Sequence, residues 1–168
     1  MADATRLQIY RCDDTCVVCV VGQGTMKESP VASGYVQSLL DDGDTQVVMD
    51  LSGCTFLDST FLGCLIGLHK SNDPSAPSRF ALHADRQQRI KLFSTTTLDR
   101  MFNFVESCPE PLGPLETIAP QRLKPRELGE HIMSCHQRLA AVGGKQASVY
   151  QSVADRLERE LQQYRPTD

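Results

Sequence analysis

The stretch Val47 to Leu68, VVMDLSGCTFLDSTFLGCLIGL, restricts the fold more than any other part of the chain. Its unbroken apolar run ending at Asp50 reads as a central strand covered on both faces, a pattern of parallel or mixed sheets. A short turn follows, and a second apolar run leads to Asp58-Ser59-Thr60. From there the spacing predicts an amphipathic helix running to about Lys70. Asp58 is the expected N-cap, because its carboxylate can accept from the free amides of the first turn. Leu57 and Leu62 then occupy the two staple positions around it. Ser59 and Thr60 become the first two helical residues, with their hydroxyls expected at the exposed, positive end of the helix.

The flanking segments complete a small domain. RLQIYRC alternates as a strand, Asp13-Asp14 makes a turn, and TCVVCVVG is a second strand, so the pair reads as an antiparallel hairpin. Gly22 and Gly24 open a loop. Ser29 is the expected cap of a first helix with Pro30 at its first position, and Val31, Tyr35, Leu39 and Leu40 form its stripe up to Gly43. After the second helix come a loop at 72–74 and Pro77, a strand RFALHA, and a helix from Gln87 to Phe93 with Ile90 and Phe93 on its apolar side. Leu98, Met101 and Phe102 lead into a short last strand, NFVE. The order β-β-α-β-α-β-α-β predicts an α/β domain over residues 1–106. Residues 107–125 hold five prolines and little periodicity, the pattern of a Pro-rich linker or strap. Residues 126–168 read as a helical hairpin. Leu128, Ile132, Cys135 and Leu139 form one stripe, Gly143-Gly144 the turn, and Val149, Val153, Leu157, Leu161 and Tyr164 the second stripe. Such a hairpin either packs on the domain or forms a dimer or partner surface.

Composition narrows the partners. The net charge of -4 argues against nucleic acid. Residues 1–120 carry nine basic and fifteen acidic side chains, and the tail eight and six, a balance suited to a protein-binding module. No run reaches the roughly 18 apolar residues of a membrane span. The start, MADATRLQ, lacks the basic and apolar parts of an export signal, so a cytoplasmic location is expected. The seven cysteines are then expected to be reduced, small and hydrophobic. Cys12, Cys16 and Cys19 match the C-x3-C-x2-C spacing of a radical iron–sulfur motif, but the last two lie in a Val-rich strand where thiolates do not converge. His131 and Cys135, four apart on a predicted helix with His136 adjacent, offer two metal ligands without an evident third and fourth. GQGTMKES has glycines and a lysine but lacks the Walker spacing. With no Ser-His-Asp arrangement and no carboxylate pair placed for catalysis, neither a catalytic residue nor a metal or cofactor is expected.

A hydroxyl beside a carboxylate at a helix start is either a cap or a phosphorylation switch. Phosphate on Ser59 would add close to two negative charges and three acceptor oxygens. The helix amides would stabilise it locally, while a partner docked there would be repelled. The stretch from Val47 to Leu68 resembles the signature of STAS domains, the bacterial anti-sigma-factor antagonists. That signature is an apolar strand ending in Asp-Leu-Ser, a short apolar connection, then Asp-Ser-Ser/Thr-Gly-Leu-Gly. The two opening strands, the helix after Gly24, RFALHA and LDRMFNF extend the resemblance over residues 6–106, and the tail from Cys108 has no counterpart.

The resemblance implies a STAS-like mixed sheet with helices, extended by the C-terminal hairpin. It also implies a non-enzymatic regulator of bacterial transcription that binds an anti-sigma factor doubling as a GHKL-type serine kinase. Phosphorylation of Ser59 would release that partner, and a PP2C-type phosphatase would reset the switch. Thr60 is the second candidate acceptor, and Asp50, Asp58, Thr60, Phe61 and Gly63 are the implied docking residues. Phe61 departs from the family's usual glycine; a ring there either obstructs the docking groove or makes a partner-specific contact. Two alternatives stand beside this reading. One is an unphosphorylated STAS scaffold that assembles, as a homodimer through the C-terminal helices. The other is a STAS protein that binds a small molecule such as a nucleotide or lipid.

Overall fold

The computed structural model of the chain describes residues 5–43, 45–71, 75–94 and 96–164. The predicted loop at 72–74 lies outside them. In chain order the elements are β1 (Arg6–Cys12), β2 (Thr15–Gly24), α1 (Ser29–Asp41), β3 (Gln46–Asp50), β4 (Cys54–Leu57), α2 (Ser59–Lys70), β5 (Phe80–His83), α3 (Arg86–Phe93), a 3-10 turn at Leu98–Arg100, β6 (Phe104–Val105), β7 (Glu116–Thr117), α4 (Pro125–Val142) and α5 (Ala147–Gln163). The sheet order is β6-β5-β3-β2-β1-β7, with β4 beside the end of β2. β3 lies in the middle between two parallel partners, β2 and β5, as its unbroken apolar run requires. β1 pairs antiparallel with β2 on one side and β7 on the other, which makes the sheet mixed.

Residue parity divides the sheet into two faces. Cys16, Val18, Val20, Val47, Met49 and Leu51 face the helices and form the main core with them. Val17, Cys19 and Val48 point the other way, where Tyr10, Val21, Val105 and Cys108 cover them. Cys16 and Cys19 therefore lie on opposite faces, which rules out their convergence on one iron–sulfur cluster. The Pro-rich stretch works as a strap. The Tyr10 hydroxyl donates to the Pro109 carbonyl at 2.7 Å, β7 pairs with Gln8 and Ile9, and the Ile118 amide donates to Leu7. An edge strand that would otherwise present open hydrogen-bonding groups is thereby partly closed.

Four local expectations are corrected. Ser29 is the first helical residue of α1 rather than its cap; Glu28 flanks it and accepts from the Thr25 amide and hydroxyl instead. β2 continues through Gly24, with a register shift at Gly22/Gln23, because β4 supplies a parallel partner there. On α3, Ile90 is exposed, and Leu92 and Phe93 enter the core. On α5 the buried face is turned by about one residue: Ala154 is buried and Tyr150 packs on the core, whereas Val149, Val153 and Tyr164 are exposed.

Candidate docking and modification site

The start of α2 is built around Asp58. Its Oδ1 accepts from the Phe61 amide and its Oδ2 from the Met26 amide, both at 2.8 Å. The Asp58 amide in turn donates to the Gly24 carbonyl at 2.9 Å. One carboxylate thus caps the helix and pins the loop between β2 and α1 against it. Ser59 follows at the first helical position and is half-buried.

What covers Ser59 is the chain's own tail. α4 lies on α2 so closely that a Cβ on Gly63 would sit 2.6 Å from Cys135 Cβ and closer still to the Cys135 carbonyl oxygen. One turn on, a Cβ on Gly67 would meet the Arg138 guanidinium at 2.8 Å. The two glycines form a smooth strip on α2, and Cys135 and Leu139 of α4 are buried by the packing. At the N-terminal end of this contact two histidines of α4 reach hydroxyls of the domain. Ser59 Oγ and His136 Nε2 are hydrogen-bonded at 3.0 Å, and Ser29 Oγ and His131 Nε2 at 2.8 Å.

The tautomer of neutral His136 follows from its other nitrogen. Nδ1 lies 2.8 Å from the Ile132 carbonyl, which can only accept, so Nδ1 carries the proton. Nε2 is then an acceptor and takes the hydrogen bond from the Ser59 hydroxyl. The imidazole is buried (6% exposed) and forms a T-shaped pair with the Tyr150 ring, 6.1 Å between centroids. For His131 the surroundings favour the neutral form. Burial, then the Arg138 charge, lowers its pKa, and the Asp58 carboxylate partly offsets them.

The sequence-predicted residues separate into three groups. Asp58 and Ser59 stand together, both half-buried, at the start of α2. Thr60 (4% exposed) and Gly63 are buried and Ser59 is half-buried beneath α4, so neither hydroxyl of the expected exposed pair is exposed. Phe61 is fully buried at 0% exposure, and a Cβ at position 24 would lie only 3.1–3.2 Å from its ring carbons. It neither obstructs a surface groove nor offers a contact to a docked partner: a ring at the third helical position points into the core, where the glycine at position 24 leaves room for it. Asp50 goes elsewhere. Its parity is that of Val48, so it lies on the sheet face away from the helices, paired in register with Cys19 and His83. There it accepts from the Ser52 amide. Burial and then its charge push the Cys108 thiol up to about 12. The structure does not bring Asp50 to the Ser59 cluster.

His136, His131 and Ser29 were not legible as parts of this site. Their signal was indirect: the two histidines flank the apolar stripe Leu128, Ile132, Cys135 and Leu139, so whatever buried the stripe had to meet them too.

Neither a family model nor a curated protein matches the sequence. Solved structures do. An anti-sigma factor antagonist from Mycobacterium paratuberculosis superposes with a TM-score of 0.51 at 21% identity, over 64% of this chain and 92% of that one. A second chain, from Thermotoga maritima and assigned to the same class, gives a TM-score of 0.49 at 22% identity over 59% and 85%. Among the described residues no helix is long and apolar enough to cross a membrane. Over 64% of its length the chain has the α/β fold of the Mycobacterium paratuberculosis anti-sigma factor antagonist, and a helical hairpin is laid across its second helix.

Proposed function

We propose that the protein is a non-enzymatic antagonist of an anti-sigma factor, docking through the start of α2 and switched by phosphorylation of Ser59. The observation that carries this reading is the local chemistry of that start: a half-buried hydroxyl at the first helical position, beside a capping carboxylate, on an α/β domain with the fold of anti-sigma factor antagonists. A phosphate there would gain from the helix amides. It would also place close to two negative charges next to Asp58 and repel an acidic partner surface. The partner is a serine kinase of the GHKL type acting as the anti-sigma factor, with a PP2C-type phosphatase to reset the site. Thr60 is the weaker acceptor because it is buried.

In this reading the hairpin is a cover. The acceptor Ser59 and the docking residue Gly63 are in contact with α4, and the Ser59 hydroxyl is engaged by His136. A partner helix or a kinase active site has to displace α4 first, so the apparent affinity is reduced by the fraction of open molecules. Phe56 (52% exposed) and Met26 stay accessible beside Asp58 and supply the apolar part of the initial contact.

The test uses the full chain with its kinase partner and ATP. Ser59→Ala is expected to abolish phosphate uptake, and mapped phosphate at the wild-type level in that variant overturns the acceptor assignment. Leu139→Lys, which places a charge on the buried face of α4 and leaves every docking residue intact, is expected to loosen α4 from α2 and raise partner affinity and phosphorylation rate several-fold. Binding no tighter than wild type overturns the cover.

The second reading is assembly through the hairpin. It is favoured by one observation: α4 spends its stripe on α2, yet Val149, Val153 and Tyr164 of α5 face outward. Light scattering of the full chain and of Val149→Lys/Val153→Lys separates the two, since a mass that falls from dimer to monomer supports assembly.

A further inference from the structure

On the face of the sheet opposite the helices, three side chains with metal-ligating atoms converge. Asp50, His83 and Cys108 each offer one such atom, all within 4.8 Å of one another and all half-buried. Two of the three are fixed by the sheet itself. Asp50 at the end of β3 is the register partner of His83 at the end of β5, which places them side by side on one face, about 4.8 Å apart in backbone. Cys108 enters from the start of the strap, where its neighbour Pro109 is anchored by the Tyr10 hydroxyl. The three ligands therefore come from three separate segments that the fold brings together, not from one flexible loop.

The orientation of each group supports ligation. His83 Nδ1 lies 3.1 Å from the Val105 carbonyl, an acceptor only, so Nδ1 carries the proton and Nε2 is the free lone pair. A histidine that donates one ring nitrogen to a backbone carbonyl and presents the other is the arrangement that orients metal-bound imidazoles. Asp50 Oδ1 is occupied by the Ser52 amide, which fixes the carboxylate plane and leaves Oδ2 open. Tetrahedral sites with bonds of about 2.0–2.3 Å place their ligand atoms about 3.5 Å apart. Closing from a separation of at most 4.8 Å takes about an ångström of side-chain rotation, within the freedom of half-buried groups.

We propose that Asp50, His83 and Cys108 form a zinc-class divalent metal site with three protein ligands and one open position. The donor set selects the metal. One thiolate and one imidazole disfavour magnesium and calcium, which take oxygen, and a single cysteine is too few for an iron–sulfur cluster. A carboxylate, an imidazole and a thiolate suit zinc, with cobalt(II) as its spectroscopic stand-in. Binding replaces the Cys108 S–H bond with an S–metal bond and releases that proton to solvent, with no change in oxidation state. The bound ion would fasten the start of the strap to the strand ends of β3 and β5. This site is independent of the α2 surface and of the role proposed for it.

The test is a titration of the full chain, reduced and stripped with chelator, with CoCl2 followed by ZnCl2. The expected result is a near-ultraviolet thiolate-to-cobalt band with visible bands of tetrahedral intensity, saturating at one equivalent and erased by zinc. Cys108→Ser is expected to remove the near-ultraviolet band, and His83→Gln and Asp50→Asn to weaken cobalt binding at least tenfold. Cys135→Ala, on α4 beside His131, is expected to leave the spectrum unchanged. Far-ultraviolet circular dichroism checks that each variant is folded. No thiolate band from the wild type at millimolar cobalt overturns the site. So does a band that survives in folded Cys108→Ser or His83→Gln, or one that disappears in Cys135→Ala.

Discussion

Ser59 Oγ on α2 and His136 Nε2 on α4 lie 3.0 Å apart although 77 positions separate them in the chain. The contact depends on how far α4 can approach, and Gly63 sets that distance. Gly63→Ala gains up to about 1 kcal/mol of helix propensity in α2. Against this stands a clash with the backbone and Cβ of Cys135, of the kind that costs about 1–3 kcal/mol in a packed interior. The variant is expected to unfold at lower denaturant than wild type. Its loosening should be local: hydrogen–deuterium exchange of α4 and α5 amides speeds up, while β2 and β3 keep their protection. Unchanged α4 exchange would show that the close approach does not hold the hairpin.

Asp58 is expected to matter more for stability than Ser59. Asp58→Ala removes the acceptor of both the Phe61 and the Met26 amide, and losing such a cap costs about 0.5–2 kcal/mol. The loop between β2 and α1 should loosen with it. Asp58→Asn should recover much of the loss, because an asparagine oxygen caps nearly as well. Ser59→Ala removes one hydrogen bond at a half-buried position, about 1 kcal/mol or less. Urea unfolding of the three variants measures the order; Ser59→Ala falling below Asp58→Ala would contradict it.

The parts of the fold that were legible in the sequence are those governed by local pattern. The unbroken VVM run predicted the central strand, Asp58 its cap and α2, and Gly143-Gly144 the turn between α4 and α5, where both glycines take positive φ. The site was legible only on its domain side. Ser59 and Asp58 follow from a tripeptide, but the covering of Ser59 follows from two glycines four residues apart meeting a helix some seventy positions later, and periodicity carries no information on which face meets which. Thr60 and Phe61 show the same limit. A helix start exposes or buries its second and third residues according to what lies above them, and Gly24, on a neighbouring strand, makes the room for the Phe61 ring. Asp50 was misplaced with the others because it belongs to the same motif in sequence, whereas strand parity sends its side chain through to the other face.

Phe61 gives a direct contrast between core and contact. As a fully buried ring, Phe61→Ala is expected to cost about 3–5 kcal/mol. Phe61→Gly, which restores the residue usual in the resembled family, adds up to about 1 kcal/mol for glycine in a helix. Thermal unfolding is the measurement. A ring that served a docked partner instead would leave stability within about 0.5 kcal/mol of wild type, as surface substitutions do.

Acid should release the hairpin through His131. Its folded pKa lies below the ordinary value of 6.5, chiefly from burial and then from Arg138. Around the ring are Ser29 from α1, Asp58 from the cap of α2, and Cys135 and Arg138 from α4. Below about pH 6.5 the unfolded chain binds a proton that the folded imidazole resists. The contribution of His131 is therefore present in full above that pH and lost as the pH falls through the lower folded value. His69 is also lowered, by burial and by Lys70, so the wild type carries at least two acid-sensitive imidazoles. His131→Gln removes one of them and leaves the other. Melting temperatures from pH 7.5 to pH 5 should fall less steeply in His131→Gln than in wild type, even though the variant starts lower for want of a good partner for Ser29. Parallel slopes in the two proteins would mean that His131 does not titrate with unfolding.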